Sequence, residues 1–332
     1  ASSMSSINRR TLLRDSLAAT AAGAIAWHGV GRDAAAEDAA KPAAPNDTAP
    51  ADALPTGRIG KLKVSRMLLG GNLLTHFTHS RDLRYVYDLA AHYNTDEKIM
   101  ETLALAEQNG VNTVSMHNPP HPMSVLRKYR KQGGKIQWII CPTAHIEEKH
   151  MEPYILQVKE LIDDGCEAIY LWGVFGDQLV SQRRVDLIAK AVDVVKDFGV
   201  PSGVGCHDLR AVVECEKQGV PADFYIKTFH HHQYPTGPKP EQLKGATSEI
   251  PGYWCKDPQE TIEVMKKVEK PWIAFKIMAA GAILPKNAFP YSFDNGADHI
   301  LVGMFDYEIA KDVEIAKAAI AGAANRERPW RS

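Results

Sequence analysis

The chain has 332 residues, 45% hydrophobic and 24% charged, with a formal net charge of -1. That composition describes a globular protein long enough for one large domain or two small ones. Near-neutral charge excludes the basic footprint of a nucleic-acid binder, and no apolar run reaches the roughly 18 residues a membrane-spanning helix needs.

In chain order, the first segment is "INRRTLLRDSLAATAAGAIAW", with paired Arg9 and Arg10 ahead of an alanine-rich stretch from Leu17 to Trp27. Ala24-Ile25-Ala26 and Ala34-Ala35-Ala36 each offer a small-x-small cleavage site. The pattern resembles a twin-arginine export signal over residues 1–32, which implies the export machinery as a partner and a periplasmic or otherwise exported destination. An amphipathic arm is the plainer reading of the same residues. From 33 to 55 the sequence is Ala, Pro and Asp without periodicity, as in a disordered linker. The five cysteines, Cys141, Cys166, Cys206, Cys215 and Cys255, have no CxxC spacing and suggest small buried residues.

From Leu62 onward short apolar runs alternate with amphipathic stretches. The predicted strands are 64–72, 111–117, 135–142, 168–174, 200–207, 223–231, 271–280 and 298–305. A long loop follows the first. A helix at "NTDEKIMETLALAEQNG" starts at Thr95 and stops at Gly110, two others end at Gly165 and Gly199, and the last runs from about Tyr307 to Ala321. The strands are continuously apolar, as expected when both faces of a parallel sheet are buried. Eight such units over residues 56–323 predict a single α/β domain, a (β/α)8 TIM barrel, with 324–332 as a C-terminal tail. The alternative, an open doubly wound sheet, would carry a GxGxxG loop after its first strand, and "LLGGNLLTHFTH" does not.

"GRIGKLKVSRMLLGGN" and "ALAEQNGVNTVSMHN" resemble the opening of an aldo/keto reductase, closely over the first third of the chain and more loosely over the whole barrel. The resemblance implies the barrel fold. The family's catalytic aspartate, lysine and histidine positions fall on Ser115, Cys141 and Trp172, and no tyrosine follows in "MHNPPHP". Reduction of a carbonyl needs a tuned proton donor, so no nicotinamide cofactor is expected. "ADFYIKTF" and "AFKIMAAGAI" resemble class I aldolases of the deoxyribose-phosphate type, whose Schiff-base lysine and second lysine match Lys227 and Lys276. The strand-four aspartate of that group is missing from "AIYLWGVFG".

Active sites of such barrels lie at the C-terminal ends of the strands. The groups there are His76 and His79; His117 and Asn118; Thr143, His145, Glu147, Glu148 and His150; Trp172 and Asp177; His207 and Asp208; Lys227 with His230, His231 and His232; Lys276; and Asp306. Alternation along a strand lets at most His230 and His232 share a direction, with His231 and Lys227 on the other face. His117, His145, Glu148, His207 and His230 form a candidate set for a divalent zinc, manganese, iron or nickel ion, against a reading as neutral proton shuttles. Lys227, Lys276 and His231 are candidate catalytic groups, since a strand-borne lysine either pairs its charge or loses its proton. Trp172, Tyr234, Trp254 and Asp208 are candidate substrate contacts. The long segment "QYPTGPKPEQLKGATSEIPGYWCKDP" is a candidate lid.

The expected function is metal-assisted proton abstraction next to the carbonyl of a small sugar or keto-sugar, giving isomerisation, epimerisation or elimination. Three alternatives remain: a Schiff-base aldolase using Lys227, an aldo/keto reductase, and a glycan-binding barrel without catalysis.

Overall fold

The computed structural model describes residues 53–332. The export signal at 1–32 and the linker up to residue 52 lie outside the described residues. The chain first makes a hairpin, β1 (Thr56–Ile59) and β2 (Leu62–Ser65), paired antiparallel through a two-residue loop in which Gly60 takes φ 56°. The first barrel strand is β3 (Met67–Gly70). Then come α1 (Arg84–Tyr93), α2 (Asp96–Gln108), β4 (Thr113–His117), α3 (Pro120–Lys131), β5 (Gln137–Cys141), α4 (Glu152–Asp163) and β6 (Ala168–Leu171). The second half runs α5 (Gly173–Ser181), α6 (Val185–Asp197), β7 (Ser202–Cys206), α7 (Leu209–Lys217), β8 (Phe224–Thr228), α8 (Pro258–Lys267), β9 (Trp272–Phe275), α9 (Pro285–Asp294), β10 (His299–Val302) and α10 (Ile309–Gly322). Strands β3 to β10 pair in parallel and close on themselves in sequence order, so the expected (β/α)8 barrel is present.

Two cores hold it together. One fills the lumen with Leu68, Ile139, Tyr170, Phe224, Ile226 and Ile273, closed at the bottom by Ile59 and Val64 of the hairpin. The other lies between barrel and helices and includes Val114, Trp138, Val204, Tyr225 and Trp272. Alternate strand residues therefore enter different cores, which is why these strands read as unbroken apolar runs.

The predicted boundaries need four corrections. The run 64–72 is two elements: Ser65 ends the hairpin with its hydroxyl on Met67 O, and Met67 begins the barrel. The loop that follows contains α1, whose only buried residue is Ala90, so it shows little apolar periodicity. The run 168–174 stops at Leu171 because Gly173 opens α5. That helix packs so closely that a Cβ on Gly176 would lie 2.2 Å from Gly205 O. The run 271–280 stops at Phe275, where Lys276 turns to φ 55°. The Thr95 cap and the glycine stops at 110, 165 and 199 are as read.

The chain after α10 is bound to the barrel floor. Asp298, fully buried, pairs with Arg328 at 2.6 Å and Arg326 at 3.4 Å and accepts the Trp272 and Arg331 N–H groups.

Candidate active site

A cavity of about 300 Å³ opens at the C-terminal end of the lumen. Trp172, Trp254, Phe77 and Phe275 give it apolar walls, and His79, His117, His207, Glu249 and Lys276 supply its ionisable groups.

Lys276 reaches the lumen through its backbone. Phe275 faces inward, so an extended chain would send the next side chain outward. The left-handed φ of Lys276 turns it back into the cavity, a conformation rare for a non-glycine residue and held where the surroundings impose it. Its Nζ donates to His79 Nε2. The His79 Nδ1–H donates to Glu249 Oε2 at 2.7 Å, and the other Glu249 oxygen accepts the Ser80 and Arg81 backbone N–H groups at 3.1 and 2.9 Å. Burial pushes Lys276 down to about 7, against the opposing pull of Glu249. Burial also lowers His79, opposed by its hydrogen bond to Glu249. The lysine is thus a partly neutral amine with one N–H donated to His79.

A second dyad lies nearby. His207 Nδ1–H donates to Asp177 Oδ2 at 2.8 Å, and Asp177 Oδ1 accepts the His207 and Asp208 backbone N–H groups, both at 2.8 Å. This fixes the tautomer with Nε2 bare. Burial holds the His207 imidazole below its usual range despite Asp177, with a smaller contribution from the Lys276 charge. His117, lowered by burial, stacks on Trp172 at 6.1 Å.

Five of the predicted site residues therefore meet in one cavity: His117, His207, Lys276, Trp172 and Trp254. The other seven lie elsewhere. Lys227 sits on regular strand β8 with its side chain outside the lumen. It is 1% exposed, its Nζ donates to Thr228 O at 2.6 Å, and it lines, with Asp208, a neighbouring cleft that meets the first cavity only at His207. Asp208 caps α7 and pairs with Arg210. His230 has both ring nitrogens on backbone, Nδ1–H donating to His231 O and Nε2 accepting the Trp254 N–H, and burial takes it down to about 3. His232 donates to Cys255 O, and His231 accepts the Gln233 N–H and packs edge-on against Tyr291. The histidine trio thus ties the start of the long loop to its return. Tyr234 donates to Gly252 O within that loop.

His145 and Glu148 follow strand β5 away from the lumen, His145 against Phe175 and Glu148 paired with Arg184. The five proposed metal ligands therefore have no common centre. Among the described residues no three His, Cys, Asp or Glu side chains form a metal-holding group. His79 and Asp177 stood among the strand-end groups without being selected, and Glu249 was missed. Ser115, Cys141 and Trp172, onto which the sequence resemblance carries three of the reductase catalytic positions, all line the cavity.

No family model matches the sequence, and no curated protein sequence matches it. Solved structures do. One described as an aldo-keto reductase from Pseudomonas aeruginosa aligns with TM-score 0.56 at 17% identity, covering 81% of this chain and 98% of its own. Aldo-keto reductase AKR11C1 from Bacillus halodurans, in its holo form, aligns with TM-score 0.54 at 10% identity, covering 83% and 98%. At such identities the likeness concerns the fold, and the chain has an aldo-keto reductase-like (β/α)8 barrel.

Proposed function

We propose that the chain is an enzyme that moves a proton at the carbon next to the carbonyl of a small hydroxy-carbonyl compound of the sugar or keto-sugar class. The observation that carries the reading is Lys276, an amine with a pKa lowered to about 7 in the lumen cavity, held by His79 and Glu249. In the reaction the Lys276 lone pair takes the proton and the C–H electrons move onto the carbonyl oxygen as an enolate. His79 and Glu249 stabilise the ammonium that forms, and Trp172 and Trp254 provide faces for the substrate. His207, oriented by Asp177, is a second base on the cavity wall. A base and a half-protonated amine in one cavity permit proton return at a different carbon or face. The candidate metal ligands do not converge, so no step is assigned to a metal. The segment 1–32 supports export as part of this proposal, checked by fractionating cells that express the full chain.

The test is hydrogen–deuterium exchange at the carbon next to the carbonyl of hydroxyacetone, dihydroxyacetone and short ketoses in D2O, followed by NMR. Catalysed exchange lost in Lys276→Met supports the reading, and no catalysed exchange with any of them refutes it. The same neutral amine favours a second reading, a Schiff base. Borohydride plus a ketose would then leave a mass increment on Lys276, not on Lys227.

A further inference from the structure

A second cavity of about 320 Å³ adjoins the first and shares His79, Trp254, Phe275 and Lys276 with it, so Lys276 stands where the two meet. Much of its wall is apolar, with Val86 and Ala90 from α1, Met278 and Ile283 from the loop after β9, and Val302 and Phe305 from the β10 end; Asn72, Thr78, His79, Lys276, Glu308 and Asp312 are its polar lining. That loop holds left-handed φ at Ala279, Ala280 and Gly281 in succession, a conformation that persists only where surrounding packing imposes it. Of the polar lining residues, Asp312 has no partner for its charge. Asp312 is 5% exposed, and no hydrogen bond or ion pair reaches its carboxylate among the described residues. Burial and neighbouring Glu308 push its carboxyl up to about 6, as expected where nothing cationic meets it.

We propose that this cavity binds an uncharged apolar substituent carried by the hydroxy-carbonyl substrate, ending in a hydroxyl that donates to Asp312, while the reacting carbonyl sits at Lys276. The Asp312 carboxylate keeps some contact with solvent and has no protein donor among the described residues, so such a ligand supplies one, and the apolar walls gain by covering its chain. Among the described residues Lys276 is the only Lys or Arg lining the cavity, and Glu308 and Asp312 are both acidic. A carboxylate- or phosphate-bearing arm, including that of a dinucleotide, would meet charge of its own sign. The inference rests on the Lys276 reading for the position of the carbonyl.

The experiment is calorimetric titration of the full chain with hexyl methyl ketone, its ω-hydroxy derivative, its ω-carboxylate derivative, hydroxyacetone and NADPH. The ω-hydroxy ketone should bind about tenfold more tightly than the other two long ketones, in line with a hydrogen bond to a charged acceptor. Asp312→Asn should remove most of that preference. Ile283→Trp and Val86→Trp, which fill the cavity from two sides, should each abolish the gain from the long chain while hydroxyacetone still binds. Tightest binding by the carboxylate or NADPH, a preference unchanged in Asp312→Asn, or no gain from the chain would overturn the proposal. The two readings fail separately. Chain-dependent binding without deuterium exchange removes only the catalytic role of Lys276, and exchange with hydroxyacetone without chain-dependent binding removes only the arm.

Discussion

Replacing Lys276 by methionine should stabilise the protein while ending its chemistry. A free lysine titrates at 10.5, and this one is pushed down to about 7 by burial. Unfolded chains keep the proton through that window and native chains release it, so native stability rises with pH between about 7 and 10.5. Below about 7 both states are protonated and the native state carries the whole penalty. The displacement corresponds to at most about 5 kcal/mol. Water at the mouth of the cavity offsets part of it, and the expected gain for Lys276→Met is about 2–4 kcal/mol near pH 6. Methionine keeps the length of the stem and suits the Trp254 and Phe275 rings, which lie 5.4 and 4.8 Å from the amine. The strained φ is common to both proteins and cancels. Equilibrium urea denaturation near pH 6 and near pH 10 measures the effect, which should shrink toward zero at the higher pH. A methionine variant less stable near pH 6, or a difference independent of pH, would refute the argument and leave Lys276 an ordinary charged side chain paired through His79 to Glu249.

Asp177→Asn should reduce turnover about a hundredfold or more with unchanged circular dichroism, because the amide no longer fixes the His207 tautomer. Unaltered turnover would place His207 outside the chemistry. Asp298→Ala, which strands Arg326 and Arg328 in the barrel floor, should lower unfolding free energy by about 3–5 kcal/mol with normal activity per folded molecule; a loss under about 1 kcal/mol would contradict the assigned ion pairs. Dialysis against a chelator should leave activity intact, since the candidate ligands His117, His145, Glu148, His207 and His230 share no centre. Activity lost on chelation and restored by zinc or manganese would show that some of them do converge.

The barrel was legible because its strands bury both faces. Runs such as "VNTVSMH" and "KIQWIICP" advertise that burial whichever core each residue enters. Glycines at 110, 165 and 199 marked helix ends because those positions require positive φ. The site was legible only to its rim. Strand parity correctly puts Lys227 and Ile226 on opposite faces, but it does not say which face is the lumen. Parity fails at Lys276, since one left-handed residue reverses the direction of its side chain. Glu249 lies in a long loop without periodicity, and nothing local brings it to His79; that contact joins residues 170 positions apart. The histidine trio misled for a related reason. Its position at the rim is functional in other barrels, yet here its nitrogens serve the backbone of the long loop.

The most direct test of the account is the titration of Lys276 itself, read from the side-chain carbon-13 shifts of lysine-labelled protein and assigned by the missing signal in Lys276→Met. A midpoint near 7 is the predicted result. A lysine that holds its proton to about pH 10 would contradict it, and with it the proposal that this amine is the base of the reaction.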